Sequence, residues 1–364
     1  MLYRGSGLLT RGVGRRVALK VKGSFRRIAL VALTAALVAL TAALVSACGD
    51  DQSARSERNS RGVAALLEPL ADPFFATMRD GLVAAAREGE LPISVEAAVG
   101  LQDTAGQASA LQSLAGQRAA CYVLNPIDQT NLVQSLPAIP SGTPIVNVES
   151  RIDREAANAV GARITAYIGT DNVAAGRLAA DGMARLVHGG ARVVVVTGVP
   201  GDAGSIARTK GFMEGARGRF DVVQTVAADF DRTQANLAAV QLLGARPAVD
   251  GFFAVDDEMA LGVAGAVRAA GKSDKVPVVG TDGIPEALAA IKRGAMSATV
   301  ARYPFTIGRL GVEACLAAIR GEHVPANVKA PIELVTRRNV ARALVNLPHP
   351  LVRFDDPLLR LLRG

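Results

Sequence analysis

The sequence predicts an α/β fold with two lobes, each built around a parallel sheet. Between residues 62 and 344, short apolar runs rich in Val and Ile alternate with longer segments of helical periodicity. Strands that alternate with helices form parallel sheets with right-handed crossovers. A body of about 280 residues is more than one core usually holds, so we expect two lobes rather than one.

The first 47 residues have the pattern of an export signal. Eight Arg and Lys side chains and no acid occupy residues 1–27, an apolar run covers residues 28–47, and small residues precede Cys48. This order is typical of secretory signal peptides. The segment Val-Ser-Ala-Cys resembles a bacterial lipobox, in which the Cys thiol is diacylated. We therefore predict a cleaved signal peptide and a lipid on Cys48.

An uncleaved transmembrane anchor is the alternative, because about 20 apolar residues can span a bilayer. Either form of attachment places the body of the protein outside, facing the periplasm or the cell exterior. Residues 48–61 are polar and charged without an apolar period, so they are predicted to be a tether.

The charge of the chain comes from the signal. The sequence has 41 basic and 33 acidic side chains, and the eight basic side chains of residues 1–27 account for the difference. The mature body is therefore neutral, and the high pI does not indicate a nucleic-acid partner.

Two further cysteines, Cys121 and Cys315, lie in an apolar strand-like run and an apolar helical run. At such positions we expect both cysteines to be buried as small apolar side chains with free thiols, and a disulfide between them is the alternative. No spacing of Cys and His suggests a metal site, and we expect neither a metal nor a cofactor. Motifs of hydrolases and nucleotide-binding enzymes are also missing, so an enzyme is disfavoured.

Polar and aromatic side chains follow the apolar runs. Ligands of open α/β sheets bind beyond the carboxyl ends of the strands. The candidates there are Asp72, Phe74, Phe75, Asn125, Glu149, Arg151, Arg208, Phe230, Asp256, Asp282 and Arg302. Carboxylates, amides and guanidinium groups bond sugar hydroxyls, and rings pack on sugar C–H faces. Four acids against two or three Arg are nearly balanced, which favours a neutral or zwitterionic ligand.

Most of these strand-end residues also have a structural alternative. Asp72 and Asp257 stand where helix N-caps are expected, and Phe75 lies on an apolar helical stripe. Glu149 and Arg151 are close enough in sequence to pair with each other. Asn125 precedes a proline and can shape a turn, while Arg208 and Arg302 can form ordinary salt bridges.

Six segments link the chain to a known family. They are Asp-Pro-Phe-Phe (72–75), Leu-Asn-Pro-Ile-Asp (124–128), Ile-Gly-Thr-Asp-Asn (168–172), Ala-Asp-Phe-Asp-Arg (228–232), Asp-Glu-Met-Ala-Leu-Gly (257–262) and Val-Val-Gly-Thr-Asp-Gly (278–283). In their order and spacing, residues 62–344 resemble the periplasmic sugar-binding proteins of the ribose-binding type.

The resemblance implies two Rossmann-like lobes joined by three crossings, the type I periplasmic binding fold. Residues 62–168 and 303–332 would form the first lobe, residues 169–302 and 333–344 the second, and residues 345–364 a C-terminal tail. We expect this tail to be a short surface helix, with a membrane- or partner-binding helix as the alternative.

The resemblance also implies a function. The chain would be a monomer that captures a small neutral sugar or polyol between the lobes by hinge closure and delivers it to an ABC-type permease. A co-receptor for a chemoreceptor or sensor kinase is the alternative. A sugar-responsive transcription regulator is disfavoured, because the place of a DNA-binding segment holds the signal and tether.

Several positions depart from the ribose-binding pattern. Asp72 and Asp256 stand in place of Asn, Glu149 in place of Asp, Ser150 in place of a ligand-binding Arg, and Arg302 in place of Gln. Buried polar groups left unpaired cost about 1–3 kcal/mol each, so these changes argue against ribose. We expect another pentose, a hexose, a polyol, a cyclitol or a solute with an amine.

Overall fold

The structure, a computed structural model, describes residues 62–244 and 248–362. The predicted signal peptide, Cys48 and the tether up to residue 61 lie outside the described residues. Within the described part, no helix has the length and apolar character needed to cross a membrane.

Two six-stranded sheets form the framework. In chain order the strands are β1 (Val63–Leu67), β2 (Ile93–Ala97), β3 (Cys121–Leu124), β4 (Ile145–Val148), β5 (Ala166–Gly169), β6 (Arg192–Thr197), β7 (Asp221–Ala227), β8 (Gly251–Ala254), β9 (Val278–Asp282), β10 (Ala298–Ala301), β11 (Asn327–Lys329) and β12 (Glu333–Thr336). The first sheet has the order β11-β5-β4-β3-β1-β2 and the second the order β12-β10-β9-β8-β6-β7.

Both sheets are parallel apart from one edge. Strand β12 runs antiparallel to β10, and the other pairings are parallel. Parallel sheets are covered on both faces, which explains the continuous apolar runs of the sequence. Strand β1, for example, is buried along its whole length.

Helices cover these sheets. In chain order they are α1 (Pro73–Glu88), α2 (Thr104–Gly116), α3 (Arg154–Ala159), α4 (Asn172–Ala184), α5 (Ala203–Ala216), α6 (Arg232–Gly244), α7 (Asp257–Ala269), α8 (Pro285–Arg293), α9 (Pro304–Ile319), α10 (Val340–Asn346) and α11 (Pro357–Leu362). A 3-10 turn covers Val133–Ala138. The predicted start of α1 is confirmed, because Asp72 accepts a hydrogen bond from the Phe74 amide at 2.8 Å and Pro73 opens the helix.

Helices α1 and α9 pack backbone to backbone through glycine. A Cβ on Gly81 would lie 2.0 Å from the Phe305 carbonyl oxygen, and one on Gly308 would lie 2.1 Å from the Met78 carbonyl oxygen. No side chain fits at these distances, so glycine lets the two helices approach. This contact fixes the helix that carries Phe74 and Phe75.

The chain passes between the two sheets after β5, after β10 and between β11 and β12. The tail adds a further passage. Leu347 and Leu351 pack against the core of the second sheet, whereas Leu358 on α11 is fully buried in the core of the first. The tail is thus a strap between the two halves as well as a short helix.

A disulfide joins Cys121 on β3 to Cys315 on α9, with their Cα atoms 5.7 Å apart. The expectation of two unpaired buried thiols is therefore wrong. Helix α9 packs across β3 and β4, and this brings together two residues 194 positions apart in sequence. Local sequence carries no sign of such a contact. Disulfides persist in oxidising compartments, in accord with export.

Candidate functional site

A cavity of about 1010 Å³ lies between the carboxyl ends of the two sheets. Its wall includes ten of the predicted residues, namely Asp72, Phe74, Phe75, Glu149, Arg151, Arg208, Phe230, Asp256, Asp282 and Arg302. The remaining candidate, Asn125, is fully buried behind the wall. Strand ends of parallel sheets are where α/β folds place their ligand sites.

The first sheet contributes rings and carboxylates. Phe74 and Phe75, at the start of α1, pack edge to face with ring centroids 5.4 Å apart. Phe75 is also part of the apolar core, so this residue both packs in the core and lines the cavity. Asp72 caps the same helix and faces the cavity, and burial raises the pKa of its carboxyl to about 6. Asp72 is therefore both a helix cap and a residue of the cavity wall.

A carboxylate that the sequence analysis missed lies deep in this wall. Glu68 directly follows β1 and is 6% exposed. Its Oε1 accepts hydrogen bonds from Ser150 Oγ at 2.8 Å and Asn125 Nδ2 at 3.0 Å. Burial raises the pKa of the Glu68 carboxyl well above its usual value. Asn125 thus holds the cavity residue Glu68 by a hydrogen bond. Glu68 directly follows a predicted strand, and this position could have identified it as a site residue.

The second sheet contributes both acids and bases. Asp256 follows β8 and caps α7, accepting from the Met259 amide at 2.8 Å. Arg208, on α5, donates from Nη1 to Asn172 Oδ1 at 2.9 Å, while its buried Nε has no hydrogen-bond partner in the described part of the chain. Burial, and next the charge of Arg302, lower the Arg208 pKa.

Arg302 connects the two walls. From the end of β10, its Nη1 lies 2.6 Å from Glu149 Oε1 and its Nε lies 2.8 Å from Asp282 Oδ1. Its guanidinium carbon lies 4.3 Å from the Phe74 ring centroid. Burial alone would lower the Arg302 pKa, but the Glu149 and Asp282 charges raise it by more. The side chain is therefore a permanent cation in the middle of the site.

The alternative pair of Glu149 with Arg151 is not formed. Arg151 is exposed at the rim, where its guanidinium lies 3.5 Å from the Tyr167 ring centroid and donates to Asn327 at 3.4 Å. Glu149 pairs with Arg302 instead. The backbone at Glu149 is left-handed, with a φ of 54°.

Left-handed backbone recurs around the cavity. Besides Glu149, Phe230 has a φ of 60° and Asp282 a φ of 130°. These values are unfavourable for residues with a side chain, and such strain concentrates at ligand sites. All three side chains line the cavity.

Asp257 has a different role from the helix cap proposed as its alternative. Asp256 is the cap, and the fully buried Asp257 accepts from the Gly283 and Ile284 amides at 2.7 and 3.0 Å and from Thr299 Oγ1 at 2.7 Å. Asp257 therefore holds the loop that directly follows Asp282, the last residue of β9.

A family model described as a periplasmic binding protein domain matches residues 63–323. The ribose import binding protein of Bacillus subtilis (strain 168) is 34% identical over 272 residues, covering 74% of this chain and 85% of that protein. An ABC transporter periplasmic solute-binding protein from Actinobacillus succinogenes 130z, solved with bound D-allose, has a TM-score of 0.73 at 26% identity. That match covers 78% of this chain and all of the other.

The Caulobacter myo-inositol binding protein, bound to myo-inositol, has a TM-score of 0.69 at 31% identity and covers 78% of this chain and 95% of its own. The chain belongs to the periplasmic binding protein domain family. Within that family it is a solute-binding protein of the ribose-binding type, and the predicted two-lobed α/β fold is confirmed.

Proposed function

We propose that the protein captures a sugar or polyol in the cavity between its two sheets. The observation that carries this proposal is a set of buried polar atoms without partners on the cavity wall. Glu149 Oε2, Thr170 Oγ1 and Arg208 Nε are buried and make no hydrogen bond within the described residues. Buried polar groups are normally satisfied, and the hydroxyls of a polyol both donate and accept.

The aromatic side chains support the same class of ligand. Phe74 and Phe75 lie on the wall of the first sheet, and Phe230 lies on that of the second. Their rings can pack on the C–H faces of a sugar while the polar atoms bond its hydroxyls. The relatives are named for ribose, D-allose and myo-inositol, three polyols of similar size. We propose a solute other than ribose, because the polar positions depart from the ribose-binding pattern.

We further propose that closure of the two halves buries the solute and that an ABC-type importer receives it. The solute would be released unchanged, since the relatives are transport-binding proteins. Conversion of any bound solute to a product would contradict this.

A thermal-shift screen followed by calorimetry tests the binding proposal. We expect at least one compound among D-ribose, D-allose, D-galactose, D-glucose, their amino-deoxy forms and inositols to raise the melting temperature. A ligand at a hundredfold excess over Kd stabilises the folded state by about 2.7 kcal/mol. The matched control is Arg208→Ala, which should keep the fold and lose the shift. A screen without any shift would contradict the proposal.

Attachment through Cys48 belongs to the proposal as well. Export of the family and the Cys121–Cys315 disulfide support an oxidising, extracytoplasmic location. We expect Cys48→Ser to release the protein from the membrane fraction, because no thiol remains to carry lipid. A variant that stays with the membrane would favour the uncleaved apolar anchor instead.

A further inference from the structure

Acidic side chains outnumber basic ones around the cavity. Eight carboxylate residues line it, namely Glu68, Asp72, Asp128, Glu149, Asp171, Asp202, Asp256 and Asp282, against four bases, Arg151, Arg208, Arg302 and Lys329. Two of the bases, Arg151 and Lys329, are exposed. The buried part of the wall therefore holds only two guanidinium groups to balance its carboxylates.

These two cations form no salt bridge with three of the acids, Glu68, Asp72 and Asp256. Arg302 is engaged by Glu149 and Asp282, and Arg208 makes no salt bridge. No basic side chain of the described residues lies within salt-bridge distance of Glu68, Asp72 or Asp256. Burial raises the pKa of these carboxyls, so each takes up a proton more readily, and a cation from outside the chain can take the place of that proton.

Glu68 and Glu149 are the two acids at which such a cation could bind. Both line the cavity, and they are 6% and 7% exposed. Oε1 of Glu68 is satisfied by Ser150 and Asn125, and Oε1 of Glu149 by Arg302. Within the described residues, the Oε2 atom of each carboxylate makes no hydrogen bond. Each of these acids thus keeps one acceptor oxygen free.

We infer that the solute carries an ammonium group and that Glu68 and Glu149 receive it, which makes the preferred ligand an amino sugar or an aminocyclitol. This inference rests on the proposed function of the same cavity. An ammonium group has three N–H donors and no acceptor, which suits two carboxylate oxygens. Such charge-assisted hydrogen bonds are about twice as strong as neutral ones. The hydroxyls of the solute remain for Arg208 and Asp256.

Calorimetry with matched pairs tests the inference. The pairs are D-glucosamine with D-glucose, D-galactosamine with D-galactose, and an amino-deoxy-inositol with myo-inositol. We expect the amine of at least one pair to bind at least tenfold more tightly than its neutral partner. Glu68→Gln, which keeps the shape and removes the charge, should reduce that preference severalfold. Glu313→Gln, a buried Glu→Gln change away from the cavity, should leave it unchanged.

A second variant guards against loss of folding in Glu68→Gln. Ser150 Oγ lies 2.8 Å from Glu68, so Ser150→Arg can place a guanidinium beside this carboxylate. It should abolish the preference for the amine. Neutral members that bind as tightly as their amines, or a preference that survives both variants, would overturn the inference and leave the proposed function standing. Absence of binding by every member would instead contradict the proposed function itself.

Discussion

The two walls of the cavity differ in charge. The first sheet supplies Glu68, Asp72, Phe74, Phe75 and Glu149, and none of its described residues adds a buried base to the cavity. The second sheet supplies the acids Asp256 and Asp282 together with both buried guanidinium groups. The first wall can therefore receive a buried cation only from across the cavity or from a ligand, while the second wall holds buried cations of its own.

Arg302 is the link between these walls. It follows β10 of the second sheet and pairs with Glu149 of the first, 153 positions earlier in the chain. This buried pair therefore depends on both halves being together. It couples the approach of the two halves to the electrostatic balance of the site.

The largest expected effect comes from removing that link. Arg302→Met would leave Glu149 and Asp282 buried without a cation, which typically costs about 3–5 kcal/mol. Chemical denaturation measures the loss. Arg177→Met is the matched control, because its pair with Glu214 is solvent-exposed and worth at most about 1 kcal/mol. An equal decrease in the free energy of unfolding in the two variants would contradict the expectation that the buried Arg302 pairs stabilise the fold more than a surface pair.

The next effect concerns a disulfide that lies in only one of the two halves. The Cys121–Cys315 disulfide lies within the first half, between β3 and α9. We expect the double change to Ala to cost about 2–5 kcal/mol. Hydrogen exchange should show the loss in β3 and α9, with β8 and β9 little affected. Uniform loss of protection across both sheets would show that the halves unfold as one unit.

A smaller effect tests the second wall as a ligand surface. Arg208→Ala and Asp282→Ala should each weaken solute binding at least tenfold, or about 1.4 kcal/mol, because each removes a polar group that faces the cavity. Circular dichroism should show an intact fold. If calorimetry shows an unchanged affinity for one of these variants, that residue does not belong to the binding site.

A further effect is a pH dependence in the first wall. Burial raises the Asp72 pKa to about 6, the Asp282 and Glu258 charges add to the rise, and Arg302 opposes it. The folded protein therefore binds this proton more tightly than the unfolded chain, whose Asp pKa is about 3.9. The stabilising contribution is complete below pH 3.9 and is lost as the pH rises through about 6.

Asp72→Asn keeps a good helix cap and removes this titration. The free energy of unfolding of the wild type should therefore fall relative to Asp72→Asn as the pH rises from 4 to 7. Asp171→Asn gives the opposite sign. The hydrogen bond from Lys329 lowers the Asp171 pKa, so its contribution is present at neutral pH and lost on acidification. Parallel curves for the two variants would refute the assignment.

Much of the fold could be predicted from the sequence. The apolar runs predicted β1 to β10. For the central strands the reason is that a strand buried on both faces needs consecutive apolar residues. Strands β11 and β12 were missed. They are short edge strands with one buried residue each, so they leave no apolar run. Ten of the eleven candidate site residues line the cavity, since strand ends can be recognised from local pattern.

The sequence by itself determined the strand and helix alternation, the acidic and aromatic character of the strand ends, and the family. These are local properties, set by residues a few positions apart. The tertiary structure alone decided the pairing of Cys121 with Cys315, the bridge from Arg302 to Glu149, and the placement of Asn125 behind Glu68. Each of these joins residues far apart in the chain, and only the packing of helices and strands brings them within contact.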